Sequence, residues 1–448
     1  MQISLDNLLE ELSGIEMITN LQQVAKLSGD YAHFSPVLVP LLAGKVGDVV
    51  VRPKDEGEVL RIAQACVKYK IPLTVRGSGT GNYGQCTPLK GGVILETSRL
   101  QEIKWIKAGL ASVETGVKLA SVDKKAQEIG WELRMIPSMY KSATVGGFIA
   151  GGSGGIGSVT YGQLRDRGNL RAVRVVTLED EPRIIELRGD DVQKVNHAYG
   201  TNGIITELEI PLAPAYEWME CVVSFRDFMT AARFGQALGN SDGLVKKMIS
   251  VHAAPIPNYF TALQNYIPAD AHCALVLVAE SDRQPFQSLV AEYAGEICYE
   301  KSTHESSRES SKGSNLIEFT WNHTTLLARA VDNSLTYLQS LFLNDPKLEL
   351  VQKMYEHFGD EVMMHLEFIK VDGVVIPAAI QVLRFTTGDR LTEIIEFHES
   401  QGVFIANPHT YILEDGGMKV VDQNQLNFKR MVDPYGLMNP NKMRGWQN

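Results

Sequence analysis

Three glycine-rich stretches, Arg76–Gly84, Thr144–Gly155 and Gly200–Thr206, fall within a window of about 130 residues, each beside a strand-like apolar run. A chain this bare at three places must bring backbone close to something. Glycine tolerates positive φ and lets successive amide N–H groups converge on one anion, so such a nest binds phosphate without a cation. The first stretch, Arg76-Gly77-Ser78-Gly79-Thr80-Gly81-Asn82-Tyr83-Gly84, directly follows Pro72-Leu73-Thr74-Val75. This reads as a strand running into a loop that can touch a diphosphate.

The surrounding order is strand (Asp48–Pro53), helix (Asp55–Tyr69, apolar at helical spacing with an acidic first turn), strand (Pro72–Arg76), glycine loop, then a strand from Gly92. A Rossmann fingerprint follows the first strand and opens a helix, whereas this loop follows the second and runs on towards a further strand, which disfavours an NAD site. Further along, Ala111–Val117 alternates as a strand and Lys118–Ile129 is helical. Arg171–Thr177 and Arg183–Leu187 form a hairpin, and Ile204–Ile210 is a strand ended by Pro211 and Pro214. Beyond Pro214 the glycine loops cease. Helices at Asp227–Leu238, Asp282–Tyr293 and Thr324–Leu341, with strands at Glu220–Phe225 and Ala274–Val278, indicate a second domain of mixed α and β. Ser302–Ser314, without an apolar residue, reads as a surface loop or an active-site lid. Thr410–Leu413 is strand-like, and the turn-rich tail Asp433–Lys442 is expected to pack on something.

At 448 residues the chain suits two domains, and 44% apolar residues make it globular. The net charge of −10, with no long basic run, predicts no nucleic-acid partner. No apolar run approaches the roughly 20 residues that cross a bilayer, so no transmembrane segment is expected. The N-terminus lacks the features of a secretory signal, making the cytoplasm the default location. Five cysteines, Cys66, Cys86, Cys221, Cys273 and Cys298, are widely spaced. They suggest neither disulfides nor a metal site, and Cys86 reads as small apolar filler.

Four segments together resemble the FAD-linked oxidases of the vanillyl-alcohol oxidase and p-cresol methylhydroxylase superfamily, near the glycolate oxidase and D-lactate dehydrogenase flavoproteins. Val75–Asn82 is similar to the family's pyrophosphate loop. Thr144–Ala150 with Gly154-Gly155 and Tyr161-Gly162 is similar to its second flavin-contacting segment, and Gly200–Thr206 to the third. Asp433-Pro434-Tyr435-Gly436-Leu437-Met438-Asn439-Pro440-Asn441-Lys442 is similar to its C-terminal motif. The resemblance implies an α+β fold: a two-subdomain FAD-binding domain of the p-cresol methylhydroxylase (PCMH) type, with an α+β cap built on an antiparallel sheet. Its divisions are a helical segment at 1–44, the FAD domain at 45–215, the cap at 216–400, and a segment at 401–448 returning to the FAD domain. It implies FAD contacts from Arg76, Gly77, Ser78, Gly79, Thr80, Gly81 and Asn82 in the loop. Pro137, Ser138, Thr144, Gly146, Gly147, Ala150, Gly151, Gly154, Gly155 and Tyr161 follow in the second segment, then Gly203, Ile204 and Ile205, with Asn407 and Lys442 near the tail.

Members that bind FAD covalently through this loop carry a histidine where Thr80 stands, so non-covalent FAD is expected. The cap lacks the His-x-Gly-Asp-Gly-x-x-His-like box of metal-assisted relatives, so no metal is expected. The His-Trp-x-Lys segment of sugar-lactone oxidases is also missing, Asn407-Pro408-His409 being its nearest positional analogue. The implied function is an FAD-dependent dehydrogenase or oxidase taking a hydride from a hydroxylated small molecule, such as a 2-hydroxyacid, to flavin N5. The alternatives are a sugar alcohol or lactone oxidase, a flavin-binding regulatory or assembly module with a degenerate cap, and a nucleotide-sugar transferase. The electron acceptor and homo-oligomer formation stay open.

Oxidising an alcohol needs a base near neutral pH, which suits histidine, and the chain has ten. His409 in its Asn-Pro turn is the first candidate. His323 before a helix and His365 between apolar neighbours are the others. Arg384, Lys442 and Arg444 are candidates to stabilise negative charge.

Overall fold

The computed structural model describes residues 2–302 and 315–446. Three sheets organise it. The first has the order Glu16–Ile18, Val49–Arg52, Val93–Glu96, Leu73–Arg76, its last three strands parallel. The helix Glu56–Tyr69 makes the crossover. Asp55 caps it by accepting from Glu58 N, and Lys70, at φ 53°, ends it in the left-handed region. Its apolar face, including Val59, Ile62 and Cys66, packs on Val49, Val51, Val93 and Leu95.

The second sheet is antiparallel: Ile103–Lys107, Leu110–Glu114, Ile204–Pro214, Ala172–Val176 and Ile184–Arg188, with Trp131–Leu133 against the far end of the long strand. The long strand runs through Pro211 instead of stopping there. Its partner changes at this point, from Leu110 opposite Pro211 to Leu133 opposite Leu212, so the missing N–H breaks no continuing ladder.

The third sheet, nine antiparallel strands, is the cap expected from sequence. From one edge it runs Glu296–Ser302, Trp218–Phe225, His272–Ala279, Lys246–His252, His365–Val371, Val374–Arg384, Leu335–Leu341 and Phe404–Ile405, with Val362–Met363 also on Val374–Arg384. The helix expected over Thr324–Leu341 is two elements, helix Asn322–Val331 and strand Leu335–Leu341. Between them Asp332 accepts from Ser334 N, an Asx turn that halts the helix. The alternation of Leu335, Tyr337 and Gln339 with Thr336, Leu338 and Ser340 then fits the pleat. Thr410–Leu413 forms no strand. The second and third sheets are tied by a buried ion pair, Lys247 Nζ to Glu132 Oε1 at 2.8 Å. Ser302 ends a strand, and the rest of the expected loop, up to residue 314, lies outside the described residues.

The tail docks on the first sheet. Leu73 N donates to Leu437 O, and Asn439 N to Leu73 O, both at 2.8 Å. Asp433 turns the tail by accepting from Leu437 N and Met438 N at 2.9 Å. Its carboxylate is fully buried and paired with Lys429, which also donates to Thr201 O. Removing one member of a buried pair leaves an uncompensated charge. Lys429→Met is therefore expected to lower stability by about 3 kcal/mol in urea unfolding, with no change in m-value.

Candidate functional site

All three glycine stretches converge on one cleft between the FAD-type sheets and the cap. Its wall includes ten glycines: Gly77, Gly79, Gly81, Gly146, Gly147, Gly151, Gly152, Gly154, Gly200 and Gly203. Three are at positive φ, Gly79 at 66°, Gly200 at 65° and Gly203 at 98°, which accounts for glycine there. The side chains of the wall are mostly apolar or neutral, so an extended ligand with an anionic middle meets bare amides along much of its length. The observed cradle fits a dinucleotide.

Of the residues expected to contact FAD, Ser78, Thr80, Asn82, Pro137, Ser138, Thr144, Ala150 and Ile205 also line the cleft with eight of the expected glycines. Arg76, Gly155, Tyr161, Ile204, Asn407 and Lys442 do not line it. Arg76 turns behind the loop, its Nη1 donating to Gly29 O at 2.5 Å. Gly155 lies against the neighbouring chain, where a Cβ would fall 2.2 Å from Ile136 O. The Tyr161 ring packs against the Arg134 guanidinium, and Ile204 is fully buried in the core of the first sheet. The Asn407 side chain accepts from His409 N. Lys442 is buried beneath the loop and donates to Gly84 O. Burial lowers its pKa and raises that of Asp30, and the attraction between these two charges opposes both shifts.

The histidines separate sharply. His409 does not line the cleft: Nε2 lies 2.8 Å from Tyr337 O and Nδ1 2.7 Å from Ser35 Oγ. The carbonyl fixes the proton on Nε2, so Nδ1 accepts from the serine. His365 is fully buried in the cap sheet, with Nδ1 on Ile380 O and Nε2 on Glu367 Oε1. That carboxylate also accepts from Trp321 N at 2.7 Å, holding Trp321 at φ 52° on the cleft wall. Arg384 lies away from the cleft, its Nε on Asp360 O, and Arg444 pairs with Asp415.

His323 does line the cleft. It is the second residue of the helix Asn322–Val331, and Trp321 at positive φ starts that helix on the wall. Its Nδ1 is 3.1 Å from Glu318 Oε2, and Nε2 is 2.9 Å from Met139 Sδ. Glu318 also pairs with Lys141 at 2.6 Å. The His323 hydrogen bond foremost, with Lys141, pulls the Glu318 carboxyl down to about 2. It is therefore a fixed anion that keeps the Nδ1 proton in place.

Sequence reasoning did not single out Asp30, Tyr31 and Phe34, His197 and Tyr199, Trp321, Gln339 or Met418, all on the wall. His197 and Tyr199 sit at φ 47° and 52°, and His197 Nδ1 donates to Gly152 O. Their place beside the third glycine stretch was the available signal.

Comparison with known proteins came to the same cofactor. Residues 47–184 match the family described as FAD binding domain. The glycolate oxidase subunit GlcD of Bacillus subtilis (strain 168) is 29% identical over 196 residues, 41% of this chain and 41% of that protein. D-lactate dehydrogenase of Anaerostipes hadrus is 30% identical over 221 residues, 45% of this chain and 44% of that protein. The matches thus span less than half the length of these curated relatives. A solved alkyldihydroxyacetonephosphate synthase shares the fold, with a TM-score of 0.72 at 15% identity, covering 98% of this chain and 85% of that one. Residues 47–184 thus form an FAD-binding domain, and FAD is its cofactor.

Burial pushes His409 and His197 each down to about 4 from the usual 6.5. Both are neutral when folded, and the unfolded chain binds their protons more readily. Their contribution is complete above about pH 6.5 and lost as pH falls towards 4, at about 1.4 kcal/mol per pH unit for each. His409→Gln is expected to flatten this acid limb by one proton in urea unfolding measured across that range.

Proposed function

We propose that this chain, whose residues 47–184 match an FAD-binding domain, is an FAD-dependent oxidoreductase that oxidises a hydroxyl-bearing carbon of a small molecule. The observation that carries the reading is the Glu318–His323 dyad on the wall of the cleft. With Nδ1–H turned to the carboxylate, Nε2 is left as the basic nitrogen. It rests against the Met139 thioether sulfur, which has no hydrogen to give it, so its lone pair is left for a substrate hydroxyl. FAD, when bound, would supply the two-electron acceptor for the hydride that leaves the substrate carbon. His323 takes the hydroxyl proton, so the alcohol leaves as a carbonyl compound. Glu318 stabilises the imidazolium that results.

The bare backbone of Gly77–Asn82 and of Gly146-Gly147 would hold the FAD diphosphate, with Lys442 and Arg76 behind the loop lending positive potential. The glycolate oxidase subunit and the D-lactate dehydrogenase each carry a hydroxyacid in their names, which supports a hydroxylated substrate without fixing which one.

An anaerobic absorbance scan of the purified protein tests this. Flavin bands that a hydroxylated compound bleaches are expected, and flavin that no alcohol or hydroxyacid bleaches would overturn the proposal. His323→Gln is expected to slow bleaching about 100-fold or more while retaining FAD, and Glu318→Gln to slow it about tenfold. With Thr80 in place of a tethering histidine, the flavin is expected to leave the protein on acid precipitation.

A further inference from the structure

The cleft wall also says what kind of molecule reaches His323, an inference resting on the reading of this cleft as the oxidising site. Among the described residues, the ionisable side chains of the wall are Asp30, Cys86, His197, His323 and three tyrosines, so it carries an acid and neither lysine nor arginine. A second anion, Glu318, stands directly behind the base. Cations nearby are turned elsewhere. Lys141 is paired with Glu318, Lys442 donates to Gly84 O, and Arg76 to Gly29 O. Arg329 caps the Leu335 and His33 carbonyls with its guanidinium over the Phe34 ring.

Away from Glu318, the contact of His323 is with the Met139 thioether. Next to it in sequence, Trp321 packs against the apolar cluster of Phe34, Tyr337 and Ile380 and against that of Leu341, Ile369, Ile376 and Ala378. Leu326, one turn along the helix, lines the cleft and is still 38% exposed, which puts an apolar residue at its mouth. A carboxylate entering here gives up water for no cation and faces Glu318, whereas an apolar body gains by burial. We infer that the substrate is a neutral alcohol with an apolar aliphatic or aromatic body, not a small hydroxycarboxylate.

The test is an anaerobic titration of the FAD-loaded full chain with matched pairs of one body: octane-1,2-diol against 2-hydroxyoctanoate, and 1-phenylethane-1,2-diol against mandelate, with glycolate alongside. Binding is read from the shift of the flavin band, separately from bleaching. Each diol is expected to bind about tenfold or more tighter than its acid. Equal affinity, or preference for the acids, would overturn the inference. Leu326→Arg, which places a cation at the mouth, is expected to shift the preference about tenfold towards the acids, and an unchanged preference would count against the electrostatic basis. Diols that bind first yet never bleach the flavin would sink the oxidoreductase reading while leaving this preference standing.

Discussion

Backbone meeting backbone at less than side-chain distance is the constraint on which the cleft depends. A Cβ on Gly146 would lie 1.7 Å from Thr115 Oγ1, one on Gly116 would lie 1.9 Å from Thr97 O, and one on Gly157 would lie 1.9 Å from Arg134 O. The last two neighbours are backbone oxygens, and Thr115 crowds Gly146 with its Cβ at 2.9 Å and its carbonyl at 3.0 Å as well as with its hydroxyl. The short helix Val145–Gly151 can therefore seat itself against the second sheet only because these positions are bare. The glycines divide into two kinds. Gly147, Gly151 and Gly154 present backbone to the cleft, while Gly155 and Gly157 let the chain close up behind it.

Charge is distributed to the same end. The strong cations near the FAD loop lie behind it, with Arg76 and Lys442 bonded to backbone carbonyls. They raise the potential at the loop without occupying the space in front. On the cap side the polar groups nearest Trp321 are joined by hydrogen bonds inside the sheet. Glu367 accepts from His365, Ser250 and the Trp321 amide at once, so the wall on that side is set by a network inside the sheet. Such a network is rigid because every member lost strands another in low dielectric.

How much of this was legible follows from the range of the forces involved. The helix over Glu56–Tyr69 and the hairpin of Ala172–Val176 with Ile184–Arg188 are local in origin, and their sequence patterns exposed them. The strand Leu335–Leu341 was hidden in a helix-like run, although Asp332-Asn333-Ser334 was a turn signal that should have divided it. The cleft's glycines were legible because bare backbone is itself a sequence signal. The place of His409 was not: its Asn-Pro turn is local, but the ring's direction is set by Ser35 and Tyr337, which lie 374 and 72 residues away in sequence. Asp30–Phe34 reach the cleft for a similar reason, Tyr31 N being bonded to Gly81 O at 2.7 Å.

The docking of Leu437–Lys442 has a temporal side. The loop that carries Gly77–Asn82 is followed by Gly84, whose carbonyl is met by Lys442, 358 residues downstream. Asn439 likewise bridges the carbonyls of Gln85 and Tyr199. On the ribosome, where the chain emerges at about 5–20 residues per second, the loop exists long before the groups that brace it. The cradle is thus finished only once residues 437–442 have been made, and cofactor capture in the completed site follows synthesis of that segment instead of accompanying that of the loop.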